Sequence, residues 1–129
     1  MIAITTIKGV TPIFRMFDEK KAKEFYIDYL GFSLEWEHRF ESDMPLYMEV
    51  RLDDCKLHLS EHYGDCSPGA AVRIEIVDIV AFHTNLKNKK YTYSRPGIET
   101  SPWHTREVCI TDPFGNKITF YESLNDNTD

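Results

Sequence analysis

No run of 18 apolar residues occurs in the chain, and its first ten residues, MIAITTIKGV, lack the charged n-region and long apolar h-region of a secretory leader. Those absences predict a soluble cytoplasmic protein with no membrane partner. Basic residues are also scarce: 15 Lys and Arg stand against 21 Asp and Glu, a formal net charge of −6, and they form no stripe. A nucleic-acid groove needs clustered cations to neutralise phosphates, as does an anionic membrane surface, so the composition disfavours both. Neutral or cationic small molecules suit it better. Cysteine is limited to Cys55, Cys66 and Cys109, an odd count at irregular spacing that a disulfide framework would not show, and free thiols are expected. The single metal-like spacing, His58, His62 and Cys66, runs off a strand into a Gly/Pro loop with no second Cys nearby, short of the four ligands of a structural zinc.

Apolar and aromatic residues, 42% and 13% of 129, are spread along the whole length, enough for one core in one domain over residues 1–129. The organisation within it is a repeat. An offset of 60 places Phe14, Met16 and Asp18 on Ile74, Ile76 and Asp78, and an offset of 61 places Leu57, Leu59 and Glu61 on Ile118, Phe120 and Glu122. Two copies of a β-α-β-β-β unit follow, one over about residues 9–63 and one over about 70–123. EHYGDCSPGA, rich in turn formers, links them, and residues 124–129 are expected to form a flexible tail.

The first helix is predicted from an Asp18 cap, the apolar stripe Ala22, Phe25, Tyr26, Tyr29 and Leu30, and Gly31 where a left-handed C-cap falls. The second is shorter, with Asp78 as cap and Ile79, Phe82 and Leu86 turned inward. Strict alternation marks the strands. Met48 and Val50 oppose Tyr47 and Glu49; Leu57 and Leu59 oppose His58 and Ser60; Val72 and Ile74 oppose Arg73 and Glu75; Val108 and Ile110 oppose Glu107 and Cys109; Ile118 and Phe120 oppose Thr119 and Tyr121. With helices over the apolar faces, the mixed faces are left to line something wet. The predicted fold is α+β, two modules forming a curved mixed sheet around a ligand cleft.

FYIDYLGF at the first helix, the closing TDPFGNKITFYE and the run SPWHTREVCITDPFGN (101–116) resemble the vicinal oxygen chelate superfamily of glyoxalase and bleomycin-resistance proteins, and the bleomycin-resistance branch most. The resemblance spans Thr11 to Glu122. The Asp112-Pro113-Phe114-Gly115-Asn116 segment is by its physics a tight turn in which Gly115 takes positive φ. Metal enzymes of the superfamily draw ligands from the first and last strands of each module, positions matched here to Thr11, His58, Ala71 and Thr119. Only His58 among them ligates well, and a catalytic divalent ion needs about three protein ligands. The resemblance therefore implies no metal or other cofactor and no catalytic residue. A metal-dependent enzyme of glyoxalase, dioxygenase or thiol-transferase type, or a binder of another small molecule, is the alternative.

Bleomycin-resistance proteins imply a homodimer whose clefts sequester a cationic glycopeptide antibiotic without altering it, partly by stacking its flat bithiazole between aromatic rings. Trp103, in the Pro-Trp of the motif, is carried over as one stacking face, with dimer-interface packing as its other reading. Trp36 or Phe40 is the opposing ring or is ordinary strand burial. Arg106, in the Arg-Glu of the same run, joins the ligand-binding set. His104-Thr105 separates Trp103 from Arg106 where the family has one residue, which shifts the indole. Arg73 and Glu75 alternate onto the cleft face and meet polar ligand groups or pair with each other. His58 and Ser60 complete the set as hydrogen-bonding groups. A nucleophilic Cys109–His58 pair would have no orienting acid.

Overall fold

A computed structural model describes residues 4–124, so residues 125–129 of the expected tail lie outside the described residues. The order is β1 (Ile13–Arg15), α1 (Glu19–Lys23) continuing as a π-helical segment (Glu24–Tyr29), β2 (Ser33–His38), β3 (Tyr47–Leu52), β4 (Cys55–Ser60), β5 (Ala71–Glu75), α2 (Ile79–Asn88), β6 (Glu99–Thr100), β7 (Thr105–Thr111) and β8 (Lys117–Ser123). The β-α-β-β-β unit thus occurs twice, as the offsets predict. Each copy forms its own four-stranded sheet, β1-β4-β3-β2 and β5-β8-β7-β6, and in each the first strand runs parallel to the last. The α+β fold of two modules is as expected, its mixed sheet laid down as two four-stranded sheets with no ladder between them among the described residues.

Alternation decides the layers. Met48, Val50, Leu57, Leu59, Val108, Ile110, Ile118 and Phe120 are at most 1% exposed and belong to one core with the helical stripe Ala22, Phe25, Tyr26, Tyr29 and Leu30. The Asp18 carboxylate accepts from the Lys21 backbone N–H at 2.9 Å, which starts the first helix as expected. Its second half departs from the α-helix expected there. Leu30 N–H donates to the Phe25 carbonyl five residues back, at 2.9 Å, and the wider turn places Phe25, Tyr26 and Tyr29 together in the core. Rings in contact result: Phe25 meets Tyr26 edge-on at 4.9 Å. Gly31, at φ +91°, reverses the chain.

The DPFGN turn does more than reverse a hairpin. Gly115 has φ +91°, as its place in the motif demands, but Asp112 and Asn116 are buried at 5% and 0% exposure. One Asp112 oxygen accepts from the Phe114 and Asn116 backbone N–H groups at 2.8 Å each. The other accepts from the Tyr26 hydroxyl at 2.6 Å and from Asn116 Nδ2 at 2.8 Å. Asn116 also donates to the Arg15 carbonyl at 2.8 Å and accepts from Ala70 N–H at 3.2 Å. A turn of the second module is thereby fastened to β1, the first helix and the linker. Burial, reinforced by the Asp112 charge, pushes the Tyr26 phenol well up from its ordinary range and keeps it a donor.

Candidate ligand-binding site

The side chains opposite the core form two wet faces, one on each sheet. On the first, β2 carries a bulge between Leu34 and Trp36, so that Leu34 pairs with core-facing Val50 while Trp36 pairs with Glu49 on the other face. The bulge turns the indole out of the core, where it is 43% exposed. It lies parallel to Tyr47, with centroids 5.8 Å apart and planes 9° apart, and edge-on to His58 at 5.3 Å. His58 is held at both nitrogens. Its Nε2 is 2.9 Å from the Glu49 carboxylate, which accepts the ring N–H, leaving Nδ1 to accept from the Tyr47 hydroxyl at 2.7 Å. Burial, with the charges of Asp65, Cys66 and Glu49 behind it, raises the Tyr47 phenol and keeps its proton on. Phe40, past the end of β2, is 73% exposed and meets His38 edge-on at 4.9 Å.

On the second face, Glu107 is the hub. Arg73 from β5 and Glu107 from β7 flank β8 and reach across it in a two-pronged pair, at 2.7 and 3.3 Å. The Arg73 guanidinium also lies 4.6 Å from the centre of the Tyr121 ring. Glu107 accepts further from the Thr105 hydroxyl at 2.6 Å and from the Trp103 indole N–H at 3.2 Å. These donors, Arg73 first and Thr105 second, hold its carboxyl down to about 2. The chain between Trp103 and Arg106 passes through His104, at φ +67°, inside a turn closed by Ser101 and Thr105, whose hydroxyls are 2.7 Å apart. That turn folds Trp103, still 62% exposed, back over Glu107.

A pH dependence follows from this geometry. Glu107 titrates below the usual carboxylate value of 4.5 only in the folded state, so its contribution to stability is complete above pH 4.5 and is lost as the pH falls towards 2. Urea midpoints measured at pH 7, 4 and 2.5 are expected to fall less steeply with acid in Glu107→Gln than in the wild type. Equal slopes would contradict the role given to Arg73 and Thr105.

Several expected site residues are placed differently. Arg106 shares the core-side parity of Val108 and Ile110 and pairs in register with Glu122, on the opposite face from Glu107 and Trp103. Arg73 pairs with Glu107, and among the described residues it forms no bridge with Glu75. Ser60 is fully buried, its hydroxyl donated to Asp65 of the linker at 2.6 Å while accepting from His62 N–H at 3.0 Å. Cys109 and His58 stand on separate sheets, and all three cysteines are free. Sequence reasoning placed Tyr47, Glu49, Glu107 and Tyr121 on the wet faces but not in the site. Alternation was the available cue for them; the register that sets Trp36 beside Glu49 and Glu107 beside Tyr121 emerges only in the fold.

The superfamily metal position also shifts. His58 pairs with Ile13 rather than Thr11, and Thr119 pairs with Arg73 rather than Ala71. Ile13, His58, Arg73 and Thr119 offer one imidazole, already bonded at both nitrogens, and a guanidinium whose charge repels a divalent cation. Among the described residues no three His, Cys, Asp or Glu side chains are grouped to hold a metal ion. The residues present do not fit the ion.

A family model described as "Glyoxalase superfamily protein" matches residues 2–127, nearly the whole chain. The chain belongs to the glyoxalase superfamily. Solved structures agree on the fold. An antibiotic binding protein, TnmS3, from Streptomyces sp. CB03234 is 22% identical, superposes with a TM-score of 0.70, and is matched over 95% of this chain and 99% of that one. The bleomycin-binding protein from bleomycin-producing Streptomyces verticillus, solved with copper(II)-bleomycin, is 26% identical with a TM-score of 0.67, over 91% and 97% of the two chains. A bleomycin resistance determinant encoded on the transposon Tn5 is 17% identical with a TM-score of 0.69, over 91% and 98%. No curated protein sequence matches. Among the described residues no helix is long and apolar enough to cross a membrane.

Proposed function

We propose that this glyoxalase-superfamily protein binds and sequesters a flat, cationic antibiotic of the bleomycin class, in clefts completed across a homodimer and without chemical change to the drug. The observation that carries the reading is the same pairing on both wet faces, an exposed indole beside a carboxylate: Trp36 in register with Glu49, and Trp103 bonded to Glu107. A planar heterocycle gains contact area on the indole at small entropic cost, and a cationic group gains a carboxylate next to it. Structural neighbours that bind bleomycin support the drug class. The register set of Ile13, His58, Arg73 and Thr119, poor in ligands, favours binding over metal-dependent chemistry. Calorimetric titration with bleomycin tests the reading. Saturable binding at micromolar concentration or below is expected, and no heat at high micromolar drug would overturn it, leaving a binder of another small molecule on this fold.

The dimer belongs to the same proposal. With Trp36, Phe40 and Trp103 exposed by 43, 73 and 62%, each wet face is an open surface in the single chain, and ligand sites bury most of a drug-sized guest. A second copy supplies the missing wall. Sedimentation equilibrium at micromolar concentration is expected to give twice the chain mass, with drug bound. A monomer that still binds the drug would sink the claim.

A further inference from the structure

A cavity of ≈ 550 Å³ opens between α2 and residues 90–97, and none of its lining residues belongs to a strand. Its size is that of an ordinary small-molecule site. Tyr29, Leu86 and Tyr91 give it an apolar wall, and the two tyrosine rings stack with centroids 4.5 Å apart and planes 22° apart. The opposite wall is pinned by the His83 Nε2–H, which donates to the Pro96 carbonyl at 2.8 Å.

The charge around it runs against the chain's average. In a protein of net charge −6, this cavity is lined by Lys87, Lys90 and Arg95 and by no carboxylate. A helix C-terminus favours cations, which accounts for Lys87 but not for Arg95, well beyond the end of α2. Among the described residues none of the three is paired with a carboxylate, whereas neighbouring Lys89 is spent on the Tyr29 carbonyl at 3.0 Å. On the wet sheet faces, by contrast, the cation Arg73 is paired with Glu107, and Glu49 is bonded to His58.

We infer that this pocket is a second binding site, for a small organic anion with a planar ring: the ring packs against Tyr91, which is backed by the buried Tyr29 and Leu86, and the acid group is taken by Lys87, Lys90 and Arg95. A guanidinium matches the paired oxygens of a carboxylate, sulfonate or phosphate, and an aromatic wall matches a flat ring. The site is independent of the sheet faces and stands whether or not they bind an antibiotic.

The test is a fluorescence titration of the full chain with 8-anilinonaphthalene-1-sulfonate, an anion built on a flat naphthalene ring, in wild type, Lys87→Glu, Arg95→Glu and, as controls for the sheet faces, Trp36→Ala and Trp103→Ala. Saturable binding with one probe per chain is expected, weakened about tenfold or more by either charge reversal, unchanged in both controls, and not displaced by sodium phosphate at matched ionic strength. Lys87 and Arg95 are exposed, so their variants should fold; if one does not, Arg95→Gln titrated in the same way replaces it, with about threefold weakening expected. Non-saturable binding, equal affinity in the charge variants, or loss in the tryptophan controls would overturn the site. Displacement by phosphate alone would overturn the requirement for a ring.

Discussion

Asp112→Ala is expected to lower the stability of the fold by about 3–5 kcal/mol, among the larger effects of a single substitution, because it breaks a buried hydrogen-bond network. The substitution removes the acceptor from four buried or half-buried N–H and O–H groups at once: the Tyr26 hydroxyl, one of the two Asn116 Nδ2–H groups, and the Phe114 and Asn116 backbone N–H groups. Each unsatisfied donor costs about 1–3 kcal/mol, and water entering the gap recovers part of that sum. For a chain of this size the loss corresponds to a fall in Tm on the order of 10–20 °C. Tyr26→Phe removes one bond to a charged group without removing the acceptor, and about 1.5–3 kcal/mol is expected. Urea denaturation followed by circular dichroism measures both. If Asp112→Ala changed stability by no more than the ~0.5 kcal/mol typical of surface substitutions, the DPFGN segment would be only a turn, and the fastening of one module to the other would lie elsewhere.

Trp103→Ala is expected to weaken bleomycin binding by about 5- to 150-fold, which is about 1–3 kcal/mol at 1.4 kcal/mol per decade, taking stacking of a nucleic-acid base on an aromatic ring as the analogue. Trp36→Ala should do the same on the other face, since its indole is presented as a flat surface against Tyr47. Arg106→Ala is expected to leave affinity within a factor of two of wild type, because its side chain is on the core-side parity of β7. Calorimetry on dimers of confirmed mass separates the outcomes. A loss with Arg106→Ala and none with either tryptophan would place the ligand on the helix side of the second sheet and remove the stacking account.

The repeat and its layers were legible because alternation has a period of two, so one buried residue in a strand fixes the side of all the others. The two offsets located Asp18 and Asp78 as caps, and the structure has both carboxylates accepting from the helix N-termini they precede. What remained hidden depended on features that alternation does not carry. The bulge before Trp36 reverses the parity of β2 after Leu34, and no Gly or Pro marks it. The π-helical segment follows from packing Phe25, Tyr26 and Tyr29 into one core, a tertiary demand invisible in the spacing of the stripe. Asp112 and Asn116 read as turn residues because their partners, Tyr26 and Arg15, are 86 and 101 residues away in sequence.

The misplacement of Arg106 has a different cause. The motif carried Arg106 into the site and left Glu107 out, yet neighbouring residues of a strand point to opposite faces, and Val108 and Ile110 had already assigned the even-numbered positions of β7 to the core. Parity, applied to the motif, would have taken Glu107 in place of Arg106. The metal positions are corrected by register rather than parity: Thr11 and Ile13 share a face, as do Ala71 and Arg73, but Ile13 and Arg73 are the register partners of His58 and Thr119.

Sequestration differs from catalysis in stoichiometry, and one measurement exploits that. Bleomycin is held in molar excess over the protein for many hours across a dialysis membrane, free drug is measured on the far side, and the protein is then denatured and all drug recovered for mass spectrometry. Under sequestration the drug withdrawn reaches a plateau at a fixed ratio to protein sites, and every recovered molecule has its starting mass. Withdrawal that continues past the number of sites, or recovered drug of altered mass, would contradict it.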